Sequence, residues 1–200
     1  MNRAIAIWLI LFTVGKLIAQ DRVWYNGVLV LQTQQVLTGA IAIEPEHDIV
    51  LHQDAGQVNI YPAHRIQSIQ FFEINANINR KYISLQHGTW RRYHLYEVVV
   101  KGSVHVLRRQ KQRTTSTLSD ADSFIYYIYT GSELVHLHAF RKQVYPVLQK
   151  EGGVQFSMFV LEQNLNPNDA VHAIRMVQYY NTLMLCDESV ARSVDRVRSK

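Results

Sequence analysis

The chain has 200 residues, with 21 lysines and arginines against 16 acidic side chains, and its formal net charge at pH 7 is +5. This length can supply one hydrophobic core or two small ones. The single cysteine, Cys186, excludes an internal disulfide, so packing alone must hold the fold.

The N-terminus has the layout of a secretory signal peptide. Arg3 supplies a positive charge, and an apolar run follows at residues 4–14. A membrane-spanning helix is the alternative, but it needs about 20 predominantly apolar residues, and Lys16 ends the run before that length. We therefore predict that residues 1–20 are a signal peptide and that the protein is exported, to become periplasmic, outer-membrane associated or secreted.

Residues 21–113 have the pattern of an antiparallel β domain. Short segments rich in β-branched and aromatic residues alternate with polar turns, in which glycine, proline and aspartate gather. Strands are predicted at residues 23–32, 36–43, 48–53, 57–61, 66–73, 81–85, 93–101 and 103–109.

A spaced motif runs through the same region. It reads G-x-I, then D-x-V, then V-x-x-Y-x-A-x-x-I-x-S, and its positions are Gly39, Ile41, Asp48, Val50, Val58, Tyr61, Ala63, Ile66 and Ser68. Over residues 23–110 it resembles uncharacterised exported proteins of Gram-negative bacteria with a small, strongly bent sheet of the Sm-like or SH3-like kind. The resemblance implies a curved sheet or small barrel and no catalytic residues. The RNA-binding loop motifs of true Sm proteins are not found, so we predict no nucleic-acid partner.

Charge is strongly segregated along the chain. Residues 21–79 contain six acids and two bases, whereas residues 80–113 contain nine bases and one acid. The densest basic stretch is Val-Leu-Arg-Arg-Gln-Lys-Gln-Arg at residues 106–113. A charge imbalance of this size bears on partners and solubility, not on the fold.

Guanidinium groups can grip oxyanions in bidentate geometry, so this stretch predicts an anion-binding site. Its predicted members are Arg91, Arg92, Arg108, Arg109, Lys111 and Arg113. In an exported protein the anion would be a lipopolysaccharide phosphate, a phospholipid headgroup or an acidic polysaccharide. Two alternatives remain open. The cluster could keep a sheet edge soluble, or it could complement the acidic turns of residues 44–54 within the molecule.

Beyond residue 113 the pattern changes. Residues 114–123 are rich in serine, threonine and aspartate and are predicted as a boundary. A β-hairpin is predicted from residues 124–129 and 133–138, after which the apolar period becomes helical. The region 114–186 is therefore predicted to hold a hairpin and about three helices, followed by a polar tail at 187–200. The fold class is predicted as α+β.

Each predicted helix carries one apolar stripe that should pack on the rest of the molecule. The stripes are Phe140, Val144, Val147 and Leu148; Val154, Met158, Leu161 and Leu165; and Val171, Ile174, Val177, Tyr180 and Leu183. Pro146 must start or kink the first helix, and the glycines at 152–153 should end it. Asn166 is predicted to cap the third helix, with Pro167 in its first turn.

Histidines offer only weak metal candidates. His136 and His138 could place two imidazoles on one strand face, a spacing that occurs in zinc sites, but no third ligand is near in sequence. His47, Asp48 and His52 lie in a turn and the strand that follows it, and are predicted to serve the turn instead. We predict no metal site and no cofactor.

No nucleophile elbow, P-loop or dinucleotide-binding loop occurs in the sequence, so no catalytic residue is predicted. Three functional hypotheses follow in order of preference. The first is an exported, non-enzymatic binding or structural module of the bacterial cell envelope with a protein partner there. The second is a polyanion or envelope-lipid binder acting through residues 108–113. The third is an enzyme with an unrecognised site.

Overall fold

The computed structural model describes residues 22–88, 90–111 and 123–198, and from residue 186 onward it describes only the backbone. Its ten strands are β1 Tyr25–Leu31, β2 Val36–Glu44, β3 Ile49–Asp54, β4 Gln57–Pro62, β5 Ile66–Glu73, β6 Ile78–His87, β7 Arg92–Val100, β8 His105–Gln110, β9 Phe124–Tyr129 and β10 Leu134–His136. The helices are α1 Phe140–Gln143, α2 Tyr145–Glu162 and α3 Ala170–Arg198. Short 3-10 turns lie at Ala63–Arg65 and Leu137–Ala139.

All ten strands belong to one antiparallel sheet with the order β10-β9-β8-β7-β6-β5-β1-β2-β3-β4. The predicted α+β class is confirmed, since this sheet precedes the three helices. The sheet is not closed, so the small-barrel form of the prediction is wrong. Strand β9 pairs with β8, which places the strands on both sides of residues 112–122 in the same sheet.

The eight strands predicted before residue 110 each correspond to an observed strand; β5 has the predicted ends, and the ends of the others are shifted. The largest shift is in β6, which begins at residue 78 instead of 81. Asn77 adopts a left-handed φ of 54°, and its amide donates to the carbonyl of Ile74. This tight turn lets Ile78 pair with Glu73 at once. Asparagine tolerates that conformation better than other residues with a Cβ do.

The sheet bends over on itself. Val50 on β3 and Leu95 on β7 belong to one buried cluster, although four strands separate β3 from β7 in the sheet order. The cluster also contains Leu29, Ile41, Ala63, Ile66, Ile69 and Phe71. A flat sheet could not bring β3 and β7 together, so the strands must curl around this first core.

A second core lies where the helices cover the other end of the sheet. Val106 on β8 and Ile128 on β9 pack in one cluster with helical residues. The largest helical members are Phe140, Leu148, Phe156, Met176, Val177 and Tyr180. Among the described residues, no helix has both the length and the apolar character required to cross a membrane.

The predicted packing stripe of the second helix is wrong for three of its four residues, since only Leu165 is buried. Val154, Met158 and Leu161 are 74%, 53% and 80% exposed. Helix α2 consists of two helical segments that meet in a kink at the predicted break, where Gly153 has non-helical dihedral angles (φ 59°, ψ −146°). This kink turns the following residues, so that Phe156 and Val160 face the core instead.

The start of the third helix also differs from the prediction. Helix α3 begins at Ala170, and the Asp169 carboxylate accepts a hydrogen bond from the backbone N–H of His172. Asp169 is therefore the capping residue in place of Asn166, because its side chain reaches the free amides of the first turn. The helix continues to Arg198, through most of the predicted polar tail.

Candidate functional site

The structure does not bring the predicted basic cluster together. Arg108 and Arg109 are neighbours on β8 and therefore point to opposite faces of the sheet. Arg108 donates from Nε and Nη2 to the two carboxylate oxygens of Glu97, at 2.7 and 3.0 Å. Arg109 donates from Nη2 to Oδ2 of Asp48 at 3.0 Å. Both guanidinium groups thus have internal partners, and for Arg109 the partner is in an acidic turn.

Of the two remaining basic residues of the stretch, only Lys111 is described, and it lies apart from Arg108 and Arg109. Lys111 lies just beyond the end of β8 and lines a separate cavity with His136 and His138. Arg113 lies outside the described residues. The described residues of the stretch 106–113 therefore do not form one concentrated cationic surface.

On the Arg108 face, an ion-pair ladder links the neighbouring strands β5, β6, β7 and β8. Arg80 bonds to both Glu73 and Glu97, and Glu97 in turn holds Arg108. Burial, followed by the negative charge of Glu97, raises the pKa of the Tyr82 hydroxyl. The ladder lines a cleft of about 250 Å³. The two arginines and two glutamates of the ladder neutralise one another, so we assign the ladder a structural role.

On the Arg109 face, Asp48 joins three parts of the chain. Its carboxylate accepts from the Leu95 amide at 2.9 Å and from Arg109, and it pairs with Nδ1 of His94 at 2.7 Å. Its backbone carbonyl accepts from the Ala63 amide. The turn after β2 is thereby fixed against β7 and β8.

The other members of the predicted histidine and acid group do not meet at this point. His52 is buried, and its Nε2 lies 3.1 Å from the carbonyl oxygen of Thr38. His47 lies on the surface, 3.6 Å from the carboxylate of Glu44. The prediction that these residues serve the turn and strand structure accords with these contacts.

Arg91 and Arg92 behave differently from the arginines of β8. Both are exposed, and neither has an ion-pair partner among the described residues. They line a groove of about 360 Å³ together with His47, His64 and Tyr93. We call this feature the Arg91–Arg92 groove. Asp48 also lines it, but its carboxylate is occupied by the three donors described above.

The backbone of this groove is held in place. The Arg91 amide donates to the Gly88 carbonyl, and the Gln86 side chain donates to the Arg91 carbonyl at 2.7 Å. Arg91 itself adopts a left-handed φ of 48°. His47 and His64 were not predicted from the sequence as neighbours of these arginines. They come from other turns, and no local pattern in the sequence links the three segments.

The two weak metal candidates lie side by side. The Nδ1 atoms of His136 and His138 are 2.6 Å apart, and the ring of Tyr127 packs on His136 at 5.1 Å. Burial, followed by nearby His138 and His87, lowers the pKa of His136. Within the described part of the chain, no three histidine, cysteine, aspartate or glutamate side chains form a group that could hold a metal ion.

Comparison with models of known protein families, with curated proteins and with solved structures finds no match for this chain.

Proposed function

We propose that this protein is an exported, non-enzymatic binding module of the bacterial cell envelope, and that the Arg91–Arg92 groove binds the anionic groups of its ligand. The observation that carries the proposal is the contrast between two pairs of arginines. Arg108 and Arg109 are paired with carboxylates inside the molecule, whereas Arg91 and Arg92 are exposed in a groove with no acid paired to them among the described residues.

The chemistry of the groove suits a phosphate or a carboxylate. A guanidinium group offers a planar set of N–H donors that matches two oxyanion oxygens, and it stays charged at any physiological pH. The imidazoles of His47 and His64 add further polar groups to the same groove. The hydrogen bonds of the Arg91 backbone to Gly88 and Gln86 reduce the ordering that binding would require of Arg91. The candidate ligands are envelope phospholipid headgroups, lipopolysaccharide phosphates and acidic polysaccharides.

The Arg91→Ser/Arg92→Ser variant tests this proposal. Charge-assisted hydrogen bonds contribute roughly 1.5–3 kcal/mol each, so we expect binding to phosphatidylglycerol vesicles at 0.1 M salt to weaken more than about tenfold. Wild-type binding should itself fall as salt rises to 1 M, because the Debye length shrinks from about 10 to about 3 Å. Vesicle co-sedimentation across a salt series measures both effects, and retention on heparin reports on a polysaccharide ligand.

The matched control is Lys142→Ser/Lys150→Ser, which removes the same charge from exposed positions on α1 and α2. Equal losses of vesicle binding in the two variants would show that net charge alone causes the effect, and would contradict specific binding in the Arg91–Arg92 groove.

The exposed stripe of Val154, Met158 and Leu161 favours a second candidate function, the binding of an envelope protein or membrane surface through α2. Binding that survives in the arginine variant and disappears in Val154→Ser/Leu161→Ser would assign the function to that stripe.

Export is tested separately. The order of charge, apolar run and small residues within residues 1–20 supports removal of this segment. We expect the native protein to begin at Gln20 or Asp21 and to be found outside the cytoplasm. N-terminal sequencing of the protein from fractionated cells measures this, and a soluble cytosolic form that retains Met1 would contradict export.

A further inference from the structure

Trp90 is the most exposed large apolar side chain in the part of the protein that the structure describes, with 84% of its surface open to solvent. It lies in the turn between β6 and β7, immediately before Arg91 and Arg92. Tyr93 lines the Arg91–Arg92 groove and is 37% exposed, whereas Trp90 lies beside the groove without lining it. Removing so large a ring from water is favourable, so a partner that covers Trp90 gains binding free energy.

The same end of the sheet has an excess of positive charge. Strands β5 and β6 are antiparallel, so the turn before β5 and the turn after β6 lie at one end. Arg65 lies in the 3-10 turn before β5, which also supplies His64 to the groove. Like Arg91 and Arg92, Arg65 is exposed and has no ion-pair partner among the described residues. The exposed acid in the turn between β2 and β3 is Glu46, so positive charge remains in excess.

We propose that Trp90 inserts into the interfacial layer of an anionic phospholipid bilayer while Arg91 and Arg92 bind headgroup phosphates. This inference rests on the anion binding proposed for the Arg91–Arg92 groove and selects the lipid among its candidate ligands. Tryptophan favours the membrane–water interface, because its ring is apolar while its indole N–H can donate a hydrogen bond to a polar headgroup. Cationic side chains next to an anionic leaflet add electrostatic attraction.

The position of Trp90 favours a bilayer over a polysaccharide. An aromatic ring that stacks on a sugar should line the groove that holds the anionic groups of that sugar, and Trp90 does not line it. A ring on the turn beside the groove can enter the interface while the guanidinium groups stay among the headgroups. Hydrogen bonds from Gly88 and Gln86 to the Arg91 backbone hold the residue after Trp90 in place.

Vesicle binding of Trp90→Ala tests the inference on the full chain. We expect binding to phosphatidylglycerol vesicles to weaken at least about tenfold, because the variant loses the burial of a large apolar side chain. The matched control is Ile74→Ala, which removes a side chain that is 82% exposed in the turn at the other end of β6. The control should bind like the wild type. The thermal midpoints of both variants should match that of the wild type, because both side chains are exposed.

Fluorescence reports directly on the position of the ring. Vesicles whose acyl chains carry bromine should quench the tryptophan emission of the wild type and of Trp24→Phe, but should quench that of Trp90→Phe markedly less. Trp24 is a suitable control because it is also exposed, at 37%. Equal quenching in the wild type and Trp90→Phe would place Trp90 outside the bilayer and overturn the inference.

Retention on heparin separates this inference from the function on which it rests. Trp90→Ala should be retained like the wild type, whereas Arg91→Ser/Arg92→Ser should lose retention. A loss of retention in Trp90→Ala would make Trp90 part of a polysaccharide site and overturn the bilayer inference. Unchanged vesicle binding in Trp90→Ala, with a loss in the arginine variant, would overturn the insertion of Trp90 and leave anion binding in the groove standing. Vesicle binding at wild-type strength in the arginine variant would instead contradict the groove, and with it the headgroup contacts of Arg91 and Arg92.

Discussion

Replacing Asp48 with asparagine is expected to lower the free energy of unfolding by about 2–4 kcal/mol, because breaking a largely buried ion pair leaves its partner uncompensated. Asp48 pairs with Arg109, and the two side chains are each only 17% exposed. Nε of Arg109 is buried without a hydrogen-bond partner among the described residues. The guanidinium group therefore depends on the Asp48 carboxylate, and the amide of asparagine cannot replace its charge.

Asparagine is the informative substitution at this position. The φ of Asp48 is 54°, a left-handed conformation that asparagine also tolerates. The change to asparagine therefore removes the charge without adding backbone strain. A change to alanine would remove the charge and would also add backbone strain. Urea denaturation followed by circular dichroism measures the loss.

Two further variants test whether the loss of stability comes from the ion pair between Asp48 and Arg109. Asp54→Asn removes an exposed carboxylate at the end of β3 and should change stability by less than about 0.5 kcal/mol. Asp48→Asn/Arg109→Met removes both charges and should be less destabilised than the sum of the two single variants, because no unpaired guanidinium remains. Additive single effects would show that Asp48 and Arg109 do not stabilise each other.

Replacing Asn181 with leucine is expected to lower the free energy of unfolding by about 2–4 kcal/mol and to loosen the packing of α3 against the sheet. Oδ1 of Asn181 accepts from the Val104 amide at 2.9 Å, and its Nδ2 donates to the Val104 carbonyl at 2.8 Å. The side chain is buried at the interface between α3 and the turn that joins β7 to β8. Leucine has nearly the same shape but leaves two buried backbone groups without partners, at about 1–3 kcal/mol each.

Gly102 provides an independent test of the same contact. A Cβ atom at this position would lie 2.2 Å from Cγ of Asn181, so Gly102→Ala must displace the amide. We expect both variants to speed hydrogen exchange at the Val104 amide and to lower the urea midpoint. The control Thr182→Ala alters the neighbouring exposed residue of α3 and should have little effect. Unchanged exchange at Val104 in Asn181→Leu would contradict the role assigned to Asn181.

The functional candidates show the limit of sequence reasoning most clearly. The run of positive charge at residues 106–113 predicts one anion site, yet Arg108 and Arg109 point to opposite faces and meet separate carboxylates. The alternative of an internal partner in the acidic turns accounts for Arg109 but not for Arg108, whose partner Glu97 is on the neighbouring strand. Arg91 and Arg92 were identified from sequence, but the histidines beside them were not.

Local rules determined the strands and the class of the fold. In β5, for example, burial follows side-chain character from Ile69 to Phe71, because successive residues of a strand face opposite sides, whereas a register shift near its start places Ile66 outside this alternation. Similar alternation and turn residues placed every strand before residue 110. These signals depend on neighbours within a few positions, so a single sequence contains them.

Only the tertiary structure decided which distant residues meet and which faces are covered. Asp48 and Arg109 are 61 positions apart, and the motif that contains Asp48 does not identify Arg109 as its partner. The bend of the sheet brings them together, and that bend results from the collective packing of Val50, Leu95 and their cluster. Likewise, Val154 and Leu161 have the spacing of a core stripe, but the backbone angles of Gly153 turn them to the outside. Long-range packing determines such contacts, and the local pattern around each residue carries no record of its distant partner.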